Sequence, residues 1–379
     1  MSTWYEQLRS QMPVTRNWAY FDHAAVAPLS LPARTAVEQW AADVAENGDA
    51  NWPQWRKGVE LARRSAAKLL GCDSAEVALI RNTTEGVNIV AEGFPWRPGE
   101  NVVVPAGEFP TNLFPWMNLA DRGVEVRQIP AVDERLNLDD VAAACDEQTR
   151  IIAVSWVGYA TGWRNDLNAL AELAHARGAF LFVDAIQGLG VQPLDVSQTP
   201  IDFLAADGHK WLLGPEGAGV LYVRREHLER LRPIGVGWNS VKQAGDFSDT
   251  RMDLRETAAR YEGGSYNMPG IAALGASLAL LNEYGTAALA ERIDKVTERL
   301  CEDLRSRGAT IVSCREPDRR SGIIAFDWPS SAAPADVQRA CRDRGVILNQ
   351  RGGHLRVSPH AYTNDDDIER LCTALEAEL

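Results

Sequence analysis

Two short segments of the sequence carry side chains whose types and order could do chemistry. The first, FLFVDAIQ, is an apolar run that ends in Asp184 and is followed by Gln187. The second, DGHKWLLG, places Lys210 between two glycines directly after another apolar run. In open α/β sheets ligands bind beyond the carboxyl ends of the strands, so we expect both segments to reach one site. A lysine enclosed there can lose its proton and attack a carbonyl group.

An acidic residue at a strand end and an enclosed lysine are the two groups that pyridoxal 5′-phosphate (PLP) requires. The lysine binds the aldehyde as a Schiff base, and the aspartate keeps the pyridine nitrogen protonated. Taken singly, Asp184 could be a turn cap and Lys210 a solvated surface residue, but their joint spacing disfavours both interpretations. The phosphate needs a helix N-terminus with hydroxyl groups, and RNTTEG supplies Thr83 and Thr84 after a strand that ends at Ile80. The alternative for Thr83 is an ordinary N-cap of that helix, and one residue can do both.

The elements that must position these residues alternate between strand and helix over the first two thirds of the chain. Apolar runs predict strands at residues 77–80, 101–105, 125–129, 151–156, 180–184, 203–206 and 219–223. Helical patterns lie between them at residues 59–70, 84–91, 138–144 and 167–177. Continuously apolar strands that alternate with helices predict an α/β fold with a mostly parallel seven-stranded sheet, buried on both faces.

After Gly285 the pattern changes to that of a compact α+β unit. It predicts helices at residues 287–306, 335–344 and from 365 onward, and strands at 309–313, 323–328, 346–349 and 354–358. We therefore expect a large domain over residues 16–285 and a small C-terminal domain over residues 286–379 that also includes residues 1–15. A long helix near residues 270–306 is expected to link them.

Composition limits the function classes. The net charge is −13 and the sequence has no Lys/Arg run, which argues against nucleic acid or an anionic membrane as a partner. The six cysteines are scattered without a CxxC pair, which fits a reducing cytoplasm and predicts no metal cluster. The first residues lack the pattern of a signal peptide, and the longest apolar stretch, residues 270–281, is shorter than the ~20 residues of a membrane helix. We expect a cytoplasmic protein.

The sequence resembles the class V aminotransferases of PLP fold type I. That group contains cysteine desulfurases, selenocysteine lyases, isopenicillin N epimerase-like proteins and cystine C–S lyases. The resemblance lies in FDHAAVAPL, NTTEGVN, VDAIQ, DGHKWLLGPEGAGVLYV, YEGGSYNMPG and RGGHLRVSPHAYTNDDDIERL, which together span nearly the whole chain.

The resemblance implies a role for each matching residue around the cofactor. Lys210 is the Schiff-base lysine, Asp184 the partner of the pyridine nitrogen and Gln187 a donor to the ring hydroxyl. The phosphate is implied to lie at Thr84 and His209, with Thr83 beside them, and Phe109 of GEFPTN is implied to stack on the ring; a Phe packed in the core is the alternative. Ser265 of EGGSYN is implied to reach the phosphate of the neighbouring subunit in a homodimer with shared active sites. Arg356 is implied to bind the substrate carboxylate, for which a bidentate guanidinium is suited.

Departures from the family pattern bear on the reaction. Asp207 stands where relatives often have Ser, and we do not count it as a phosphate ligand because a carboxylate repels phosphate. Tyr159 stands where desulfurases have an Asn near the substrate. Desulfurases also carry a mobile-loop Cys before the carboxylate Arg, whereas residues 349–356 read NQRGGHLR. Cys341 lies on an amphipathic pattern and is expected to be packed, which leaves persulfide transfer without a thiol acceptor.

The sequence therefore predicts a PLP enzyme that acts at Cα or Cβ of an L-amino acid. It is most like a cysteine or cystine C–S lyase, or a desulfurase-like enzyme without the loop Cys; epimerisation and transamination remain alternatives. A non-catalytic PLP-fold binding protein is less favoured because the key residues are intact, and a nucleotide-dependent oxidoreductase would need a GxGxxG turn that is not present. The substrate is left open, with Trp163, Trp238 and Arg351 as further residues that could line the pocket.

Overall fold

A computed structural model of the chain describes residues 2–378. The strands are β1 (Ala19–Tyr20), β2 (Val77–Ile80), β3 (Asn101–Pro105), β4 (Glu125–Ile129), β5 (Thr149–Ser155), β6 (Phe180–Asp184), β7 (Phe203–Asp207), β8 (Gly219–Val223), β9 (Thr310–Ile311), β10 (Ile324–Asp327), β11 (Val346–Ile347), β12 (Asn349–Arg351) and β13 (His354–Val357). The α-helices are α1 (Trp4–Ser10), α2 (Leu31–Asn47), α3 (Trp52–Leu70), α4 (Thr83–Gly93), α5 (Phe114–Met117), α6 (Leu138–Ala144), α7 (Leu167–Ala176), α8 (Met268–Tyr284), α9 (Thr286–Ser306), α10 (Pro334–Asp343) and α11 (Asp365–Glu376).

The large sheet contains the seven strands that the sequence predicts, in the order β2-β8-β7-β6-β5-β3-β4. All neighbouring pairs are parallel except those made by β8, which runs antiparallel to β2 and β7. Helices cover both faces, and apolar side chains form a separate core on each. The α/β fold with a mostly parallel seven-stranded sheet is confirmed.

A smaller antiparallel sheet has the order β12-β13-β10-β9. The sequence predicts residues 346–349 as one strand beside residues 354–358, but the structure divides them: β11 pairs in parallel with β1, and β12 pairs with β13. The β1–β11 pair brings the FDHAAVAPL segment against this sheet, where Asp22 forms a bridge with Ser358.

The small sheet has its own apolar core, formed with α9, α10 and α11. Leu8 and Met12, near the N-terminus, instead pack in a core of the large sheet. The exact domain boundaries given above stay a prediction.

The expected linking helix is interrupted. Gly285 separates α8 from α9 with φ +79, a backbone angle that residues with a Cβ rarely adopt. Its requirement for glycine is conformational, because a Cβ there would meet nothing within 4 Å. Among residues 2–378, no helix is both long enough and apolar enough to cross a membrane.

Candidate active site

The carboxyl ends of β5, β6 and β7 and the N-terminus of α4 meet around a cavity of about 400 Å³. Most of the residues predicted from the sequence line it: Thr83, Thr84, Phe109, Tyr159, Asp184, Gln187, His209, Lys210 and Arg356. Strand register brings their elements together, because Ser155 at the end of β5 lies opposite Asp184, which in turn lies opposite Ala205 of β7. This is the edge at which open α/β sheets bind ligands.

Lys210 lies in a tight turn after β7. Gly208 in that turn has no room for a side chain, since a Cβ would lie 2.5 Å from the carbonyl oxygen of Ala218. The pKa of Lys210 is lowered to about 8, chiefly by burial; the carboxylate of Asp184 opposes this shift, and the positive charge of Arg356 contributes to it. At a given pH, a larger fraction of Lys210 than of an ordinary lysine is therefore the neutral amine, which is the form that attacks a carbonyl.

Asp184 ends β6 and is 3% exposed. One carboxylate oxygen accepts a hydrogen bond from the backbone N–H of Ile186 at 3.0 Å. Burial raises the pKa of Asp184 to about 6, while the Ile186 N–H and the charge of Lys210 oppose the rise. A buried carboxylate in this position favours a cationic N–H donor as its partner.

Gln187 is held by both ends of its side-chain amide. Its Nε2 donates to the carbonyl oxygen of Ala24 at 3.0 Å, and its Oε1 accepts from the indole N–H of Trp211 at 2.9 Å. One Nε2 hydrogen remains for a ligand, as the predicted contact to the ring hydroxyl requires.

The N-terminus of α4 opens onto the cavity. The Thr83 hydroxyl accepts the backbone N–H of Asp207 at 2.9 Å, and the Thr84 hydroxyl lies 2.9 Å from that of Thr111. The alternative that Thr83 is the N-cap is wrong. Asn82 is the N-cap, because it keeps an extended backbone and its side chain accepts a first-turn N–H at 2.9 Å.

The carboxylate of Asp207 is occupied within its own turn. It accepts the backbone N–H of Gly208 at 2.7 Å and lies 2.9 Å from Nδ1 of His209. These contacts fit the prediction that Asp207 is not a phosphate ligand.

Arg356 projects from β13 of the small sheet and is 1% exposed. It donates to the carbonyl oxygen of Tyr159 and, at 3.2 Å, to the carboxylate of Asp22, whereas its buried Nε has no partner among residues 2–378. Asn349 also donates to Asp22, at 2.7 Å. Asp22 and Asn349 were not predicted as site residues from the sequence, although Asp22 belongs to the FDHAAVAPL segment. Burial raises the pKa of Asp22, and Arg356 opposes this rise.

Two aromatic rings stand at the entrance to the cavity. The rings of Phe109 and Tyr159 meet edge to face with centroids 5.4 Å apart, and Nζ of Lys210 lies 5.8 Å from the Phe109 centroid. Phe109 is 45% exposed, which excludes the alternative that it is packed in the core.

Ser265 does not line this cavity. It is exposed on a neighbouring groove of about 720 Å³ that shares Asn82 and Thr84 with the cavity. Of the three further residues suggested by the sequence, Arg351 lines the cavity, whereas Trp163 and Trp238 do not.

The cysteines lie away from the site. Cys341 is fully buried in the core of the small sheet, and burial raises its pKa to about 11, so the expectation that it is packed is confirmed. Within residues 2–378 all six cysteines are free, none lines the cavity, and no group of acidic, His and Cys side chains could hold a metal ion.

The family model described as aminotransferase class V matches residues 19–371. The chain belongs to the class V aminotransferase family. Among curated relatives of this class V chain, the probable cysteine desulfurase of Methanothermobacter thermautotrophicus is 31% identical over 397 aligned residues, which cover 98% of this chain and 97% of that protein. The cysteine desulfurase of Klebsiella pneumoniae is 33% identical over 341 aligned residues, covering 84% of this chain and 82% of that protein.

Solved structures share the fold over almost the whole class V chain. C-DES, a cystine C–S lyase, matches in its complex with cysteine persulfide with a TM-score of 0.90 at 24% identity, covering 96% of this chain and 99% of C-DES. A C-DES variant with glycine covalently linked to its PLP cofactor gives a TM-score of 0.91 at 24% identity. The match covers 97% of this chain and 98% of the variant. The cysteine desulfurase CsdA of Escherichia coli gives a TM-score of 0.87 at 27% identity. The match covers 100% of this chain and 99% of CsdA. The chain has PLP fold type I, and the expected cofactor is confirmed as that of its family.

Proposed function

We propose that this class V enzyme breaks the Cβ–S bond of an L-amino acid of the cysteine or cystine type by β-elimination, without a nucleophilic thiol of its own. The observation that carries this proposal is a cavity that unites a lysine, a buried carboxylate and a buried guanidinium, with no cysteine in the described wall. A persulfide acceptor on the enzyme would have to be a reactive thiolate within reach of the substrate. The desulfurases and the C–S lyase among the relatives support sulfur chemistry at Cβ.

We infer that the residues present fit PLP. The depressed pKa of Lys210 suits the amine that binds the aldehyde, and the buried carboxylate of Asp184 suits the pyridine nitrogen. The first N–H groups of α4 have no partner within the helix, and with the Thr84 hydroxyl they suit a phosphate. PLP, when bound, draws electrons away from the substrate Cα.

The chain's own residues then bind the amino acid and move its proton. Arg356 lines the cavity and binds the α-carboxylate with its guanidinium, whose bidentate geometry fixes Cα near Lys210. The Lys210 amine, neutral above pH 8, takes the Cα proton and holds it as the ammonium. Phe109 and Tyr159 cover the entrance and limit the access of water.

The cofactor assignment is tested with Lys210→Ala. We expect this variant to lose turnover and covalent attachment of PLP, while weak binding through the phosphate persists. Borohydride reduction of the wild-type holoenzyme followed by peptide mapping should place the label on Lys210; a label on any other lysine contradicts the assignment.

The reaction is tested with a panel of L-amino acids that includes cysteine, cystine and alanine. Elimination predicts pyruvate and a released sulfur product from the sulfur-containing members only. Formation of the keto acid that corresponds to the amino acid, which is pyruvate in the case of alanine, indicates transamination, and loss of chirality without product indicates epimerisation. No product and no racemisation across the panel would leave a binding protein as the better interpretation.

We further infer a homodimer with shared active sites and a cytoplasmic location. The groove of Ser265 adjoins the cavity, which supports a site completed by a neighbouring subunit. The six free cysteines support a reducing compartment.

A further inference from the structure

The turn after β4 contains a backbone conformation that its residues disfavour. Asp133 and Glu134 have φ angles of 51° and 63°, and Val132 and Arg135 on either side form an antiparallel bridge, closed by an N–H···O bond of 2.9 Å. Positive φ at both central residues is the type I′ turn, whose second position is usually glycine. A glutamate held there is strained, and such strain persists only when other contacts hold the residue in place.

The contacts that hold Glu134 come from the loop after β5. Its carboxylate accepts the backbone N–H groups of Ala160 and Thr161 at 2.8 and 2.6 Å, and the Thr161 hydroxyl at 2.7 Å. Gly158 completes the fit, because a Cβ there would lie 2.3 Å from a Glu134 oxygen. One carboxylate thus fixes the backbone of residues 158–161, which we call the Tyr159 loop.

The Tyr159 loop is also where the two sheets meet. The carbonyl oxygen of Tyr159 accepts from Arg356 of the small sheet, and that of Thr161 accepts from the hydroxyl of Ser313. The Tyr159 ring, on the same loop, packs against Phe109. Glu134 itself is not among the residues that line the cavity. It reaches the site through this loop and through its negative charge, which partly opposes the lowering of the pKa of Arg356 by burial.

We propose that Glu134 is a positioning residue for recognition of the substrate carboxylate. By fixing the Tyr159 carbonyl, it sets the direction of one Nη of Arg356 and thereby the plane of the guanidinium. This inference rests on the proposed function, in which Arg356 binds the α-carboxylate. A guanidinium whose plane is free to turn still attracts an anion, but it loses the bidentate geometry that distinguishes a carboxylate.

The test compares two probes that differ only in the carboxyl group, L-alanine and ethylamine, each titrated into the holoenzyme while PLP absorbance is followed. Glu134→Gln keeps the size of the side chain but turns one acceptor into a donor that faces N–H groups. We expect half-saturation for L-alanine to rise at least tenfold and that for ethylamine to change less than twofold. The control, Asp133→Gly, relaxes the same turn without touching the carboxylate and should leave both values within twofold of wild type.

An equal change for both probes, or no change for L-alanine, overturns the positioning role. Thermal unfolding checks that Glu134→Gln is folded; if it is not, Thr161→Val removes a single donor and should weaken L-alanine alone, by threefold or more. Arg356→Lys separates the two hypotheses. If that variant keeps the preference for L-alanine, the proposed role of Arg356 fails; if it loses the preference while Glu134→Gln keeps it, only the role of Glu134 fails.

Discussion

At the scale of single residues, enclosure moves the pKa values of Lys210 and Asp184 towards each other, to about 8 and about 6. Burial disfavours the charged form of each group, while the opposite charge of the other restores part of it. Between these two values both groups are charged, and above pH 8 the lysine alone loses its proton. The lysine is thus poised to gain or release a proton near neutral pH.

The lowered pKa of Lys210 predicts how the rate of PLP binding to the apoenzyme depends on pH. The amine must be neutral to bind the aldehyde, so the rate should rise with pH and reach half of its maximum near pH 8. Asp184→Asn removes a charge that raises the pKa of Lys210 and should move the midpoint to lower pH. Stopped-flow absorbance measures both; a wild-type midpoint near the ordinary lysine value would contradict the burial argument.

A second prediction concerns Arg356. Arg356→Lys keeps the positive charge but loses the planar fork and its bonds to Asp22 and the Tyr159 carbonyl. We expect amino acids to bind at least tenfold more weakly, with a much smaller change for simple amines, as followed by PLP absorbance. Equal loss for both ligand types would show that Arg356 has another task.

At the scale of elements, the sequence predicted the strands of the large sheet well because most of them are continuous apolar runs; β4, which reads EVRQI, is the exception. The boundaries of β6 and β8 agree with the prediction, and those of β5 and β7 differ by only one or two residues. The pairing of β11 with β1 was not predictable, because a two-residue strand has no periodicity and its partner lies at the other end of the chain.

In the candidate site, too, contacts between residues that are distant in sequence could not be predicted. Lys210 and Asp184 carry local patterns and Arg356 lies in a segment that resembles the family, so all three could be predicted as site residues from the sequence. Asp22 and Glu134 act through partners that are distant in sequence, and nothing in their immediate neighbours indicates the contact. Such pairs become visible only when strand pairing is known.

A third prediction concerns Cys341 on helix α10. Its Cys341 is packed in the core of the small sheet, so Cys341→Ser should keep nearly all activity on the best sulfur-containing substrate, with a modest loss of stability. Steady-state kinetics and thermal unfolding measure the two effects. A hundredfold loss of activity in a folded variant, ~2.7 kcal/mol in the barrier, would restore a desulfurase mechanism.

At the scale of the whole molecule, the proposed dimer places Lys210 and Ser265 of one chain in two different sites. Lys210→Ala and a bulky replacement of Ser265 should each be weak or inactive alone. When mixed and reassembled, they should form heterodimers with one doubly damaged site and one intact site. Random pairing gives activity that rises towards about a quarter of wild type.

Mass spectrometry must confirm that subunits have exchanged in this mixture. Wild-type chain mixed with Lys210→Ala in the same ratio serves as the control for reassembly. A mixture no more active than its separate components, with exchange confirmed, would show that each site is built within one chain.

Arg356 belongs to the small sheet, whereas Asp184 belongs to the large one and Lys210 follows a strand of it. An amino acid bound as proposed therefore contacts both parts of the chain at once. Its binding stabilises the arrangement in which the two sheets are together, because a ligand stabilises the state to which it binds more tightly. In this proposal the carboxylate of the substrate also connects the two sheets, in addition to being recognised by Arg356. An amine without the carboxylate contacts only the part of the cavity formed by the large sheet and adds nothing to the contacts between the two sheets.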